Sequence, residues 1–113
     1  MRRAAKIDEN QPDIVLALVA QGWIVQSLAA VGVGCPDLLV GAAGINVLLE
    51  IKDMDQPPCK RRLNDYQEIW HRRWKGQVAT VETAEDAITA VLTEIGRHCL
   101  DARRARCDDE PKR

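Results

Sequence analysis

Two short apolar runs, Leu38-Leu39-Val40 and Val47-Leu48-Leu49-Glu50-Ile51-Lys52, are separated only by Gly41 to Asn46. That spacing predicts an antiparallel hairpin. A turn through Ala42-Ala43-Gly44-Ile45 sets Gly41 against Asn46, Val40 against Val47, Leu38 against Leu49 and, one step further, Asp37 against Glu50. Strand side chains alternate in direction, so Val47, Leu49 and Ile51 fill one face as core while Glu50 and Lys52 emerge on the other. In this register Asp37 joins the second face. Directly opposed residues have Cβ atoms about 4.5–5.5 Å apart, and like charges at that separation repel. A divalent cation between the carboxylates offsets the repulsion, and all-oxygen ligation favours Mg²⁺ or Mn²⁺ over zinc. Lys52 lies about 6.6 Å along the strand from Glu50. There it can orient a water, help deprotonate it, or stabilise charge growing on a phosphate. Spacing alone leaves a second reading open, in which Asp37 caps a turn after Pro36 and Glu50 pairs with Lys52 on a solvated face.

The elements around the hairpin follow from periodicity and breakers. Pro12 suits the start of a helix, and Ile14, Val15, Leu18 and Val19 recur at helical spacing until Gly22. Trp23 to Leu28 is rich in strand formers, and Gly32-Val33-Gly34-Cys35-Pro36 is a turn-forming segment. Asp53 to Arg62 carries two prolines and no apolar period, which predicts an exposed loop. Leu63, Gln67, Trp70, His71 and Trp74 share a helical face that begins near Asn64 and ends by Gly76. Val78 to Val81 reads as a strand, and Thr83 with Asp86 three residues on reads as the capped start of a helix Ala84 to Cys99. The predicted order is αβββαβα, an α/β fold with a mixed sheet flanked by helices.

With 113 residues the chain suits one domain, expected over 1–99, followed by a charged tail over 100–113 read as frayed or disordered. Its apolar stretches fall short of the roughly 20 residues that a membrane span needs, and its basic N-terminus lacks the apolar core of a signal peptide. A cytoplasmic location, in a bacterium or a phage-infected cell, and no membrane partner are expected. Cys35, Cys59, Cys99 and Cys107 are widely spaced, which favours reduced thiols over a zinc site or disulfide framework. The formal charge of −1 argues nothing about nucleic acid. Its distribution is more informative: Lys60, Arg61, Arg62, Arg72, Arg73 and Lys75 crowd the middle of the chain, and the first five are the candidate phosphate contacts.

Gly34-Cys35-Pro36-Asp37 followed by Glu50-Ile51-Lys52 resembles the active-site signature of the PD-(D/E)XK nuclease superfamily. The resemblance spans roughly residues 7–90, and the helix start Leu63-Asn64-Asp65-Tyr66-Gln67 is similar to that of small phage and bacterial nucleases of the VRR-NUC and Holliday-junction-resolvase type. The valine-arginine-arginine run behind the VRR-NUC name is not present in that form. The resemblance implies a restriction-endonuclease-like αβββαβ core, with Asp37 and Glu50 as Mg²⁺ ligands, the Ile51 carbonyl as a third, Lys52 assisting the attacking water and Gln67 supporting the site. It also implies an acid on the first helix that helps hold metal; Asp8, Glu9 and Asp13 compete for that place, Glu9 or Asp8 is favoured over Asp13, and Glu9 is taken as the ligand. His71 either packs, touches phosphate or acts as a base. Trp70 and Trp74 are read as core in preference to base-stacking platforms.

The function expected from all this is a Mg²⁺- or Mn²⁺-dependent DNA endonuclease, acting on branched or junction DNA and working as a homodimer. The competing readings are a DNA-binding module that retains the fold without catalysis, and a purely structural protein whose Asp37 and Glu50 lie on opposite sheet faces.

Overall fold

A computed structural model describes residues 9–109, with only the backbone of 108 and 109. The elements run α1 (Gln11–Ala20), β1 (Ile24–Ser27), β2 (Leu38–Ala42), β3 (Ile45–Ile51), α2 (Pro58–Arg61), α3 (Asp65–Arg73), β4 (Val78–Val81) and α4 (Ala84–Asp109). The sheet has four strands in the order β1-β2-β3-β4. The first two pairings are antiparallel, and β3 pairs with β4 in parallel. The expected mixed sheet flanked by helices is therefore present.

Alternation sorts the sheet into two faces. Leu38, Val40 and Ala42 on β2 and Val47, Leu49 and Ile51 on β3 are buried together with Ile14 and Leu18 of α1 and Ala87 and Val91 of α4. Each fully buried Leu, Ile or Val contributes about 1.5–3 kcal/mol of transfer free energy, so this face holds the core. The predicted register is observed pair for pair from Gly41↔Asn46 to Leu38↔Leu49. The turn is tighter than expected: Ala42 still pairs with Ile45, and the chain reverses through Ala43 (φ 50°) and Gly44 (φ 85°). Positive φ at both central residues matches the right-handed twist of the strands, and one more ladder pair offsets the strain at Ala43.

Helix α1 starts with Pro12 in its first turn and stops at Gly22, whose φ of 88° supplies the left-handed residue that ends the helix. Thr83 Oγ1 accepts from the Asp86 N–H at 3.1 Å, so α4 begins at the predicted cap. Two expectations need correction. The loop from Asp53 to Arg62 contains the single turn α2, which Pro58 can start because its missing N–H is not needed there. The helix expected to end at Cys99 continues through Asp109; Leu, Ala and Arg are strong helix formers that need no burial to continue it. Among the described residues no helix is long and apolar enough to cross a membrane.

Candidate functional site

The site lies where β2 begins and β3 ends, on the face away from the core. Asp37 stands just ahead of β2 with its backbone already within the sheet: its N–H donates to the Leu49 carbonyl at 3.0 Å, and its own carbonyl accepts from Leu28 at 2.8 Å. Its carboxylate Oδ2 accepts the Ile51 N–H at 2.7 Å, so the side chain is clamped to the end of β3. Glu50 is 1% exposed. Burying a carboxylate to this depth requires compensation, and it is found close by. Gln67 Nε2 donates to Glu50 Oε1 at 2.6 Å, and Lys52 Nζ stands 3.6 Å from the same oxygen. The solvated-face reading of Glu50 and Lys52 is thereby overturned, although the ion pair it invoked is real.

Gln67 holds this cluster together because it also builds its own helix. As the third residue of α3 it forms a capping box with Asn64: the Asn64 side chain accepts from the Gln67 N–H at 2.9 Å, and Gln67 Oε1 accepts from the Asn64 N–H at 3.0 Å. The same Oε1 accepts from Lys52 Nζ at 2.7 Å. One amide thus ties the helix start to both charged residues of β3. Gly34 lets α3 come this close. Its φ is 82°, and a Cβ there would meet the Tyr66 backbone, 2.6 Å from the carbonyl carbon, and the Gln67 nitrogen at 3.0 Å.

Two further side chains belong to this neighbourhood. The Cys35 thiol is pushed above its ordinary pKa of 9.0, first by burial and then by the Glu50 and Asp37 carboxylates. Asp37 precedes Leu38 and Glu50 follows Leu49, a directly paired couple on the core face, so alternation turns both acids to the other face. The reading with Asp37 and Glu50 on opposite faces is excluded. His71, one turn beyond Gln67, is held below the ordinary histidine value of 6.5 by burial first and then by the Lys52 ammonium. Its Nε2 is buried without a hydrogen-bond partner among the described residues. The unfolded chain therefore takes up the proton first as pH falls below about 6.5, so stability contributed by the neutral ring is lost on acidification. Thermal unfolding is expected to shift to lower temperature between about pH 7 and pH 5, with a shallower decline in His71→Leu; equal slopes would contradict this.

The remaining predicted residues are placed as follows. Asp8 lies outside the described residues. Glu9 is exposed in the turn ahead of α1, and Asp13 is exposed on α1. Neither falls on the inward stripe of the helix, which is Gln11, Ile14 and Leu18. Glu9 stays an expected ligand: its side chain is exposed in the turn ahead of α1, next to Asn10. The end of α1 is joined to the site by Asn10, whose Nδ2 donates to the carbonyls of Lys52 at 3.2 Å and Glu82 at 2.9 Å. Lys60, Arg62, Arg72 and Arg73 are exposed. Arg61 is half-buried and faces Glu82 at 4.0 Å, which leaves it less available to phosphate. Trp70 and Trp74 stack on each other, with centroids 4.7 Å apart and planes at 19°, outside the core cluster. Trp74 is 45% exposed, so the core reading does not hold for this pair. Sequence reasoning missed Asn10 as an anchor and Cys35 as a neighbour, because nothing local marks either contact.

Two carboxylates with the Ile51 backbone beside them form a hard oxygen set. Mg²⁺ is ordinarily held by one or two carboxylates, with waters and phosphate oxygens completing its shell, so these residues fit such an ion without a larger cage.

Among solved structures the chain is similar to one described as a VRR_NUC domain, with a TM-score of 0.56 and 26% identity over 78% of this chain and 96% of that one. No protein-family model matches the chain, and no curated protein matches it in sequence. The hairpin register, the Asp37, Glu50 and Lys52 constellation and this likeness agree: the chain carries the fold of the VRR_NUC domain, a PD-(D/E)XK-type nuclease domain.

Proposed function

We propose that this protein is a divalent-metal-dependent endonuclease that hydrolyses DNA phosphodiester bonds. The observation that carries the reading is the buried Glu50, held by Gln67 and Lys52 on the same face as Asp37. A structural protein gains little from a carboxylate at this depth, because an apolar residue of similar volume is as stable or more so. Asp37, Glu50 and the Ile51 carbonyl are the residues that would hold Mg²⁺ or Mn²⁺, which when bound supplies Lewis acidity and a template for in-line attack.

The chain's own groups have separate parts in this reading. Lys52 presents its ammonium to the phosphate, where it offsets negative charge growing on the non-bridging oxygens and positions the attacking water. Gln67 keeps the Lys52 amine from collapsing onto Glu50, since its Oε1 takes one ammonium proton while its Nε2 occupies Glu50 Oε1. Lys60, Arg62 and Arg72 carry positive charge to the exposed surface, where they can contact the DNA backbone. A domain of this size covers little of a duplex, and we assign it a homodimeric working form, which light scattering with and without DNA tests directly.

The deciding experiment incubates labelled linear duplex, flapped and four-way-junction DNA with the protein in Mg²⁺, in Mn²⁺ and in chelator. Cleavage in either metal and none in chelator is expected. Binding without cleavage in both metals would leave a DNA-binding module that keeps the nuclease fold.

A further inference from the structure

Beside the site, an open groove of about 340 Å³ is lined by Val33, Tyr66, Ile69, Trp70, Arg73 and Trp74. Its walls are unusually apolar for a surface: Val33 and Tyr66 are each 68% exposed, Ile69 50% and Trp74 45%. Neighbouring exposed apolar side chains of this kind are candidates for a binding surface. The groove is continuous with the catalytic residues along two stretches of chain. Tyr66 directly precedes Gln67, which bonds to Glu50 and Lys52. Val33 directly precedes Gly34, whose close approach to Tyr66 joins the two walls and which leads through Cys35 and Pro36 to Asp37. Val33 holds a φ of 55°, a costly conformation for a β-branched residue, and it presents that side chain to the groove.

The chemistry of the lining selects an occupant. Tyr66 and the stacked Trp70–Trp74 pair offer aromatic surface, and Arg73 in the same wall supplies a cation. Aromatic surface with an interleaved arginine is how proteins hold unpaired bases along a phosphate backbone, because every base has a face to stack and every linkage has a negative charge. A base within a continuous duplex is stacked on its neighbours and cannot enter. We propose that this groove seats an unpaired nucleobase of the DNA strand whose phosphodiester lies at Asp37, Glu50 and Lys52. The proposal rests on the nuclease reading and narrows its substrate class to DNA with a single-stranded or extruded nucleotide next to the cut.

The test measures binding by fluorescence anisotropy in chelator, so that no cleavage is needed. The probes are a fluorescein-labelled duplex with a short oligothymidylate extension, the same DNA with abasic sites in the extension, and the blunt duplex. Wild type is expected to bind the thymidylate extension between about fivefold and a hundredfold more tightly than the abasic one. Trp74→Ala and Tyr66→Leu should each reduce that ratio toward one, whereas Trp74→Phe should keep most of it. Tyr66→Leu guards against a folding defect, since it alters an exposed ring and keeps the surface apolar. Equal affinity of wild type for thymidylate and abasic extensions overturns the proposal, and so does a preference that survives both ring deletions. Self-association of the protein that the same substitutions abolish would give the groove to a second copy and overturns it as well. If wild type cleaves DNA in Mg²⁺ yet ignores the abasic change, the groove assignment alone falls; if it neither binds nor cleaves any of the three DNAs, the nuclease reading falls with it.

Discussion

Replacing Lys52 with alanine is expected to lower the single-turnover rate of DNA cleavage by about a hundredfold to ten-thousandfold, the range for losing a positioned charge or proton-transfer group. The structure explains why the loss should be chemical more than structural. Lys52 is anchored to the sheet by its backbone, with its N–H donating to the Val81 carbonyl at 2.9 Å and its carbonyl accepting from Asn10 at 3.2 Å, and neither bond depends on the side chain. Truncation removes the ammonium from Gln67 Oε1, which keeps its bond from the Asn64 N–H, so the start of α3 remains capped. Glu50 keeps its bond from Gln67 but loses the nearby cation. A stability loss of about 1–3 kcal/mol is expected from that unpairing, too little to account for the drop in rate if unfolding is followed in parallel. A Lys52→Ala protein that folds and cleaves within about threefold of wild type would remove Lys52 from the chemistry, since a factor of that size is well under the range for a catalytic charge.

Gly34→Ala should lower both stability and cleavage, although the residue touches no substrate in this account. The new methyl would stand 2.6 Å from the Tyr66 carbonyl carbon and 3.0 Å from the Gln67 nitrogen, both backbone atoms of the first turn of α3. Neither can swing aside as a flexible side chain could. Together with the left-handed backbone at φ 82°, this is expected to cost at least about 2 kcal/mol. To relieve the contact α3 must shift, carrying Gln67 away from Glu50 and Lys52, so the rate should fall with the melting temperature. Gly22→Ala provides the comparison. Gly22 also has a positive φ, 88°, but a Cβ there meets nothing within 4 Å. It should lose only about 1 kcal/mol for the backbone conformation and retain the wild-type rate. Differential scanning fluorimetry paired with a cleavage assay reads both; equal behaviour of the two variants would contradict the packing of α3 against the Gly34 loop.

The parts of this protein that could be read from sequence are those governed by local period. The register from Gly41↔Asn46 to Leu38↔Leu49 follows from alternation between a core face and a chemical face, because a slip of one residue would turn Val47, Leu49 and Ile51 to the wrong side. The cap at Thr83 is legible for the same reason, since donor and acceptor lie three residues apart, whereas at Asn64 the sequence reading gives only a helix start and not the box that Gln67 closes. What escaped is what chain folding brings together from a distance. Nothing near Asn10 announces a bond to Lys52, and nothing near Cys35 announces its place beside Glu50 and Asp37. The first-helix acid that the resemblance implies has no local mark either: the inward stripe of α1 is Gln11, Ile14 and Leu18, and Glu9 and Asp13 are exposed. Large aromatics usually bury their area, which favours a core reading for Trp70 and Trp74. Here α3 sits at the site's edge instead of over the core, and the pair stacks on itself in the open groove.

The central claim is that Asp37 and Glu50 act together as the acids of a phosphodiester-cleaving site, and single-turnover cleavage of one labelled DNA by wild type, Asp37→Asn and Glu50→Gln at matched Mg²⁺ tests it most directly. Each substitution keeps the shape and removes the charge. Wild type is expected to cleave in Mg²⁺ and stop in chelator, and both variants, shown to be folded, should fall to the rate of the chelated wild type. Cleavage by either folded variant at the wild-type rate would contradict the account.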